Sequence, residues 1–214
     1  ANGARSVLVM LACSIIWLGT MNAAREIVKE QAIYRRERMV GLGLVPYLAS
    51  KYVVLGALAL AQAAVLLIPV LAKSPVPVGG VSMPAPLEMY VTLALCAIAA
   101  VAMGLMLSTL FDNADRAAAL VPYILIPQIL FVVSQLEGVG RWISWLTTSH
   151  WAVQALGSSV DLGRFSTTLT GIDPDEFTHN PNFLLARWLI IAFVGVACAL
   201  ASLVLLRRQD GNLL

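Results

Sequence analysis

The chain has 214 residues, of which 59% are hydrophobic and only 12% are charged, and its formal net charge is +2. An average soluble domain has about 45–50% apolar and about 25% charged residues. A water-soluble fold of this length has too few charges to cover so much apolar surface, so the composition excludes an ordinary soluble domain. The small net charge also gives no reason to expect a nucleic-acid partner.

Five segments are apolar and long enough to span a lipid bilayer as helices, which takes about 20 residues each. We predict spans at residues 6–24, 45–72, 87–111, 117–134 and 184–206. The predicted fold class is therefore an all-α integral membrane protein, a polytopic helical bundle in which residues 1–214 form a single transmembrane domain.

The positions of Lys and Arg predict how the bundle is oriented. Alternating spans place nine of these residues on the side that holds residues 25–44 and the C-terminus, and five on the other side. Positively charged residues are enriched on the cytoplasmic side. We therefore expect a multi-pass plasma-membrane protein with a cytoplasmic C-terminus and an external N-terminus. An external start without a signal peptide leads us to expect a sixth span upstream of Ala1.

The connection after the first span reads as an amphipathic helix at the cytoplasmic face. Residues 25–40 contain no Pro or Gly and mix acidic with basic side chains. Because Gly41 is suited to end a helix, we predict a helix over residues 25–41. On these grounds it is either a juxtamembrane helix bound to anionic headgroups or a docking helix for a cytoplasmic partner. Its three acidic residues favour docking slightly.

Residues 25–41 also resemble a known motif. They are similar to the cytoplasmic coupling helix of the ABC-2 type permeases, the ABCG/White-like branch of ATP-binding-cassette exporters, whose pattern is close to R-E-x-x-x-E-x-x-x-Y-x-R-E-x-x-x-G. The matching positions are Arg25, Glu26, Glu30, Tyr34, Arg36, Glu37 and Gly41. Tyr47, Ser50 and Lys51 resemble the start of the family's following span.

Later segments extend the resemblance over nearly the whole chain. Residues 119–131 resemble the family's fifth span, and residues 142–145 and 151–156 resemble the short helices before its last span. The chain departs from the family at residues 148–150, Thr-Ser-His, where the family usually has a proline nearby. On this mapping, the span expected upstream of Ala1 is the family's first helix.

The resemblance implies a function and partners. Such permeases are two-fold dimers driven by nucleotide-binding domains that press on the coupling helices. This sequence has no Gly-x-x-x-x-Gly-Lys-Ser/Thr loop to hold phosphates, so ATP and Mg²⁺ would bind an associated nucleotide-binding domain, either upstream on the same polypeptide or on a separate chain. The expected function is ATP-driven export of a lipid, glycolipid or drug-like substrate. The resemblance is closest to actinobacterial half-transporters in which forkhead-associated domains and an ATPase precede the membrane part.

Two other function classes are weighed against transport. A non-transporting membrane scaffold would use residues 25–41 to recruit a cytoplasmic partner. An intramembrane enzyme would need clustered His, Asp or Lys side chains at membrane depth, and the sequence has no such cluster. His150 and His179 have no partner at metal-ligand spacing. We therefore expect no catalytic site and no metal site in this chain.

The fourth span is either a kinked packing helix or part of a translocation path. Pro122 and Pro127 each remove a backbone donor, and carbonyls freed in this way should face protein or a water-filled cavity. Gln128 and Gln135 lie two turns apart on one face. The resemblance implies that this face and one face of the first span line the path. The candidates are Ser14, Trp17, Met21, Ile124, Gln128, Phe131 and Gln135.

The connection at residues 135–183 is predicted to lie outside the membrane. Its Trp-rich part, residues 140–157, is too short to span and should form one or two short helices in, or dipping into, the outer interface. Residues 158–182 are polar and rich in turn residues, so we predict a small external cap. Within the spans, Asn22, Gln62 and Thr92 should form interhelical hydrogen bonds, and Glu88 should lie near a helix N-terminus.

Overall fold

A computed structural model describes residues 2–73, 79–111, 113–133, 143–163 and 177–211. The main helices of these residues are α1 (Asn2–Ala23), α2 (Glu26–Met39), α3 (Leu44–Lys73), α4 (Ala85–Leu110), α5 (Ala114–Val133), α6 (Thr148–Ser159) and α7 (Pro181–Gly211). Within the described ranges the only extended pairing is one isolated bridge between Gly79 and Pro84.

The predicted spans correspond to α1, α3, α4, α5 and α7. Among the described residues, five helical segments are long and apolar enough to cross a membrane. This confirms the all-α polytopic bundle. The largest difference is in α7, which extends beyond the predicted 184–206 at both ends. Pro181 is tolerated in a first helical turn, and Arg207 and Arg208 are good helix formers that continue the helix past its apolar part.

α4 is the central helix of the bundle. In the apolar 18-residue stretch of α4, 72% of the residues are buried inside the protein, whereas the corresponding fraction is 50% for α1 and 22% for α3 and α7. Small residues allow this central position, because they let helix backbones approach closely. A Cβ atom placed on Gly104 would lie 2.5 Å from the carbonyl oxygen of Thr20 and 2.6 Å from Cβ of Ala23. The end of α4 is thus packed directly on the end of α1, where the chain enters α2.

The bundle has two distinct ends. At one end, which we call the α2 end, Gln209 of α7 donates a hydrogen bond to the carbonyl of Thr109 in α4 at 2.7 Å. At the other end, the α6 end, Ser149 Oγ of α6 donates to the carbonyl of Gln128 in α5 at 2.7 Å. The third and fifth spans, α4 and α7, therefore end on the same side of the bundle, as alternating spans require.

Short helices are predicted for residues 140–157, and the structure has α6 there. Nearly all side chains of α6 are buried, and it packs against α1, α4, α5 and α7. The helix therefore enters the bundle instead of lying on its surface. Residues 134–142 and 164–176, which include Gln135 and much of the predicted cap, lie outside the described residues.

The predicted interhelical hydrogen bonds of the polar residues are present. Asn22 Nδ2 of α1 donates to Gln62 Oε1 of α3 at 3.4 Å. Trp188 Nε1 of α7 donates to Thr92 Oγ1 of α4 at 2.9 Å. These bonds join α1 to α3 and α4 to α7 within the apolar bundle.

Glu88 lies in the first turn of α4, as predicted, but its partners precede the helix. The side chain is fully buried. Its carboxylate accepts hydrogen bonds from the backbone N–H groups of Val81, Ser82 and Met83 at 3.1, 2.7 and 2.9 Å. Glu88 thereby holds the segment before α4 against the α6 end of the bundle, which compensates for burying its charge.

Candidate functional site

The helix predicted for residues 25–41 is present as α2, over Glu26–Met39. It begins directly after a turn at the end of α1. It ends where Gly41 adopts φ of +105°, in the left-handed region that glycine enters without strain. The structure thus confirms a helix within the predicted residues 25–41. The side chain of Arg25, the N-cap residue, makes no capping hydrogen bond to the helix.

One face of α2 is packed on the bundle. Ile27, Val28 and Tyr34 are buried. The Tyr34 ring stacks on the ring of Tyr47 in α3, with centroids 4.7 Å apart and an interplanar angle of 38°. These contacts give α2 a defined orientation relative to α3 and α4, which a helix bound only to lipid headgroups does not need.

Two of the predicted coupling residues are acidic partners of one lysine. Lys51 Nζ of α3 lies 3.0 Å from Glu26 Oε1 and 2.6 Å from Glu30 Oε2. The side chains of Lys51, Glu26 and Glu30 are 14%, 29% and 40% exposed. Lys51 also lies over the Tyr47 ring at 5.8 Å. The sequence suggested Lys51 only through the family resemblance, although Glu26 and Glu30 are one helical turn apart.

A second attachment joins α2 to the central helix. Ser108 Oγ, near the end of α4, accepts hydrogen bonds from the backbone N–H groups of Ile27 and Val28, each at 3.0 Å. Ser108 is 1% exposed. Sequence reasoning missed this residue, because a single serine in an apolar span carries no pattern that identifies a partner 80 residues away.

The opposite face of α2 is open. Four predicted coupling residues in or next to α2 are exposed, namely Arg25, Arg36, Glu37 and Gly41. Apolar side chains accompany them, since Ile33, Met39 and Val40 are 50%, 82% and 87% exposed. A surface that combines charges of both signs with exposed apolar side chains is suited to bind another protein.

The predicted path residues are partly brought together. A narrow crevice between α1, α5 and α6 is lined by Trp17 and Gln128, with Cys13, Ile16, Leu125, Ile129 and Ser149. Gln128 is 7% exposed, and its Oε1 atom accepts no hydrogen bond from any described residue.

The other candidates that lie within the described residues do not line this crevice. Ser14 is exposed, while Met21, Ile124 and Phe131 are half-buried. α5 is continuous through Pro122 and Pro127.

Comparison with known proteins agrees with this arrangement. The chain matches the ABC-2 type transporter family over residues 1–159. It is 31% identical over 167 residues to the ABC transporter ATP-binding/permease protein Rv1747 of Mycobacterium tuberculosis (strain ATCC 25618 / H37Rv). That alignment covers 75% of this chain but 19% of the relative, so the chain spans about a fifth of the relative's length. The family match covers α1 to α6 and confirms the family resemblance seen in the sequence. The chain is a multi-pass membrane protein that belongs to the ABC-2 type transporter family.

Proposed function

We propose that this chain is the membrane domain of an ATP-driven exporter and that α2 receives the movement of an ABC nucleotide-binding domain. The observation that carries the proposal is the division of α2 into two faces. One face is fixed to the bundle through Lys51 and Ser108. The other face is exposed and carries charged side chains of both signs together with apolar side chains. A helix built in this way can bind a partner on one side and move the bundle on the other.

The proposed nucleotide-binding partner is supported by the relative and by the chemistry of the exposed face. The Mycobacterium tuberculosis relative is named as both ATP-binding and permease protein. ATP and Mg²⁺ belong to such a domain, which is either part of the same polypeptide or a separate chain. Arg36 and Glu37 would form polar contacts with it, while Met39 and Val40 would supply apolar contacts.

The proposed orientation places the α2 end of the bundle in the cytoplasm. Of the fourteen Lys and Arg residues, the nine on this side include five in residues 25–38 and two at the end of α7. This asymmetry follows the enrichment of positive charge on the cytoplasmic side. The C-terminus would then be cytoplasmic and the α6 end external, within the plasma membrane.

The proposed translocation path follows the exposed faces of α1 and α5. Met10 of α1 is 67% exposed, and Tyr123, Ile126 and Leu130 of α5 are 72%, 56% and 54% exposed. A second copy of the domain that faced these exposed residues of α1 and α5 would enclose a mostly apolar cavity. Gln128 lies on the buried side of α5, in the crevice that also contains Trp17. Its Oε1 atom would accept a hydrogen bond from the hydroxyl or amine of a substrate that enters this crevice, so the expected substrate is amphipathic: a lipid, a glycolipid or a drug-like molecule.

The proposal is tested with the full-length protein, including its nucleotide-binding domain, in proteoliposomes. ATP-dependent movement of a fluorescent phospholipid and of a lipophilic dye is measured. The double variant Arg36→Glu/Glu37→Arg should reduce ATP-dependent movement at least about tenfold, because interfacial charges that lose their partners cost about 2–5 kcal/mol. Lys73→Glu, an exposed charge reversal at the other end, is the control and should transport normally.

The alternative, a non-transporting scaffold, predicts a different result. A scaffold would bind its cytoplasmic partner through α2 but would move neither probe on addition of ATP. Normal movement in the Arg36→Glu/Glu37→Arg variant would contradict the assignment of α2 as coupling helix.

A further inference from the structure

The first turn of α2 is held by a side chain of α4, not by a capping residue of its own. We propose that Ser108 is a positioning residue that fastens the start of α2 to the central helix, so that displacement of α2 reaches α4 directly. The inference rests on the proposed function of α2 as a coupling helix and concerns the route by which its movement enters the bundle.

The geometry is that of a helix cap supplied from another helix. The first backbone N–H groups of any helix have no acceptor within the helix. In α2 the N-cap residue Arg25 makes no side-chain cap. Ser108 Oγ accepts from Ile27 N and Val28 N at 3.0 Å each, which uses both acceptor positions of one hydroxyl. Because Ser108 is 1% exposed, water does not replace this acceptor easily.

The attachment leads to the helix that contacts most of the bundle. α4 packs against α1, α3 and α7 and is the most buried of the long helices described. At Gly104 the backbone of α4 is in close contact with the end of α1. A displacement at Ser108 is therefore carried to several helices at once, because packed interiors transmit strain.

The attachments to α4 and α3 lie close together on α2. Ser108 binds the amides of Ile27 and Val28, and Lys51 binds the carboxylates of Glu26 and Glu30. Two polar attachments of α2 to the bundle thus lie within residues 26–30. The exposed residues Met39 and Val40 lie at the far end. A partner that pushes on the far end would therefore transmit force to α4 through Ser108 and to α3 through Lys51.

The test compares two substitutions of Ser108 whose new side chains have nearly the same shape. Ser108→Thr keeps a hydroxyl acceptor, whereas Ser108→Val has nearly the same volume without one. Thr109→Val is the control, because Thr109 is 2% exposed but its hydroxyl donates to Met106 of its own helix at 2.6 Å. Ser108→Ala, which adds no volume, replaces Ser108→Val if that variant does not reach the membrane.

The full-length protein in lipid nanodiscs is examined by hydrogen–deuterium exchange, without nucleotide and trapped with ATP and vanadate. In Ser108→Val the amides of Ile27 and Val28 should exchange about tenfold faster, as expected for loss of a helix cap. Trapping should still alter exchange in α2, but its effect on the end of α4 should fall by about half or more. ATP hydrolysis should continue while movement of the fluorescent phospholipid falls. Ser108→Thr and Thr109→Val should behave as the wild type.

Two results would overturn the inference. One is an α4 response to trapping in Ser108→Val that equals that of Ser108→Thr. The other is an equal loss in Thr109→Val, which would indicate general loosening of the end of α4. If trapping alters exchange in neither α2 nor α4 of the wild-type protein, the proposed coupling function fails instead.

Discussion

Removal of the Lys51 ammonium group alone should detach α2 from the bundle more than neutralising Lys51, Glu26 and Glu30 together. Lys51→Met leaves the carboxylates of Glu26 and Glu30 one helical turn apart without their shared cation, which lies 3.0 and 2.6 Å from them in the wild type. Like charges at this spacing repel each other. The carboxylates are only partly exposed, so solvent does not fully replace the lost partner.

The size of the effect follows from distance and burial. Two unit charges about 3 Å apart attract by about 5 kcal/mol at an effective dielectric constant of about 20, before desolvation. Exposed pairs retain about 0–1 kcal/mol, whereas breaking a buried pair costs about 3–5 kcal/mol. Because Glu30 is 40% exposed while Lys51 is 14% exposed, we expect an intermediate cost. A cost of about 2 kcal/mol increases the detached population of α2 about thirtyfold.

Limited trypsin digestion of inside-out vesicles measures this population. Arg35, Arg36 and Arg38 are cleavage sites within α2, and cleavage of a helix requires local opening, so its rate follows the open fraction. Lys51→Met should be cleaved about thirtyfold faster there than the wild type. The variant that combines Lys51→Met with Glu26→Gln and Glu30→Gln should recover most of the protection, because no unpaired charge remains.

Lys73→Met at the far end of α3 is the control and should digest normally. Unchanged cleavage of Lys51→Met, or equal cleavage of the single and triple variants, would refute the ion-pair argument.

Three further outcomes are expected. Gly104→Ala should lower the free energy of unfolding by about 1–3 kcal/mol in thermal unfolding, because its Cβ would clash with the backbone of Thr20. Gly56→Ala is the control, because a Cβ there has no neighbour within 4 Å. It should be neutral or stabilising by up to about 1 kcal/mol. Glu88→Gln should lower the free energy of unfolding by about 1–3 kcal/mol, since three backbone donors lose an ionised acceptor. The unfolding temperature should fall accordingly, and an unchanged temperature would contradict that role. Gln128→Leu should leave stability unchanged or higher, because it removes a buried oxygen without a partner among the described residues, while weakening ATP-dependent movement of the phospholipid probe; a loss of stability would show that the amide is a packing element.

Much of the architecture was predictable because the bilayer imposes simple rules. Span length is set by membrane thickness, so hydrophobicity located α1, α3, α4, α5 and α7 to within about five residues at each end. Local signals were also sufficient for α2, since a Pro-free charged segment ended by a glycine specifies a helix without reference to the rest of the chain.

The two faces of α2 and the depth of α6 were not predictable from local signals. The acids Glu26, Glu30 and Glu37 slightly favoured a cytoplasmic partner in the sequence, yet in the structure Glu26 and Glu30 bind Lys51 of α3. The Trp-rich segment indicated short helices that lie in the outer interface or dip into it, and only the structure places α6 among four other helices. In both cases the deciding contacts join residues far apart in the chain, and a local pattern carries no information about them.

The sequence by itself determined that this protein is a helical membrane domain with a charged helix between its first two spans, because composition and periodicity alone decide which segments leave water. Only the tertiary structure decided that Ser108 meets the start of α2 and that Trp17 and Gln128 share one crevice. Those encounters depend on how closely α1 packs on α4 around Gly104 and on where α6 enters the bundle. Side-chain packing between helices, not the hydrophobicity of each helix, sets both.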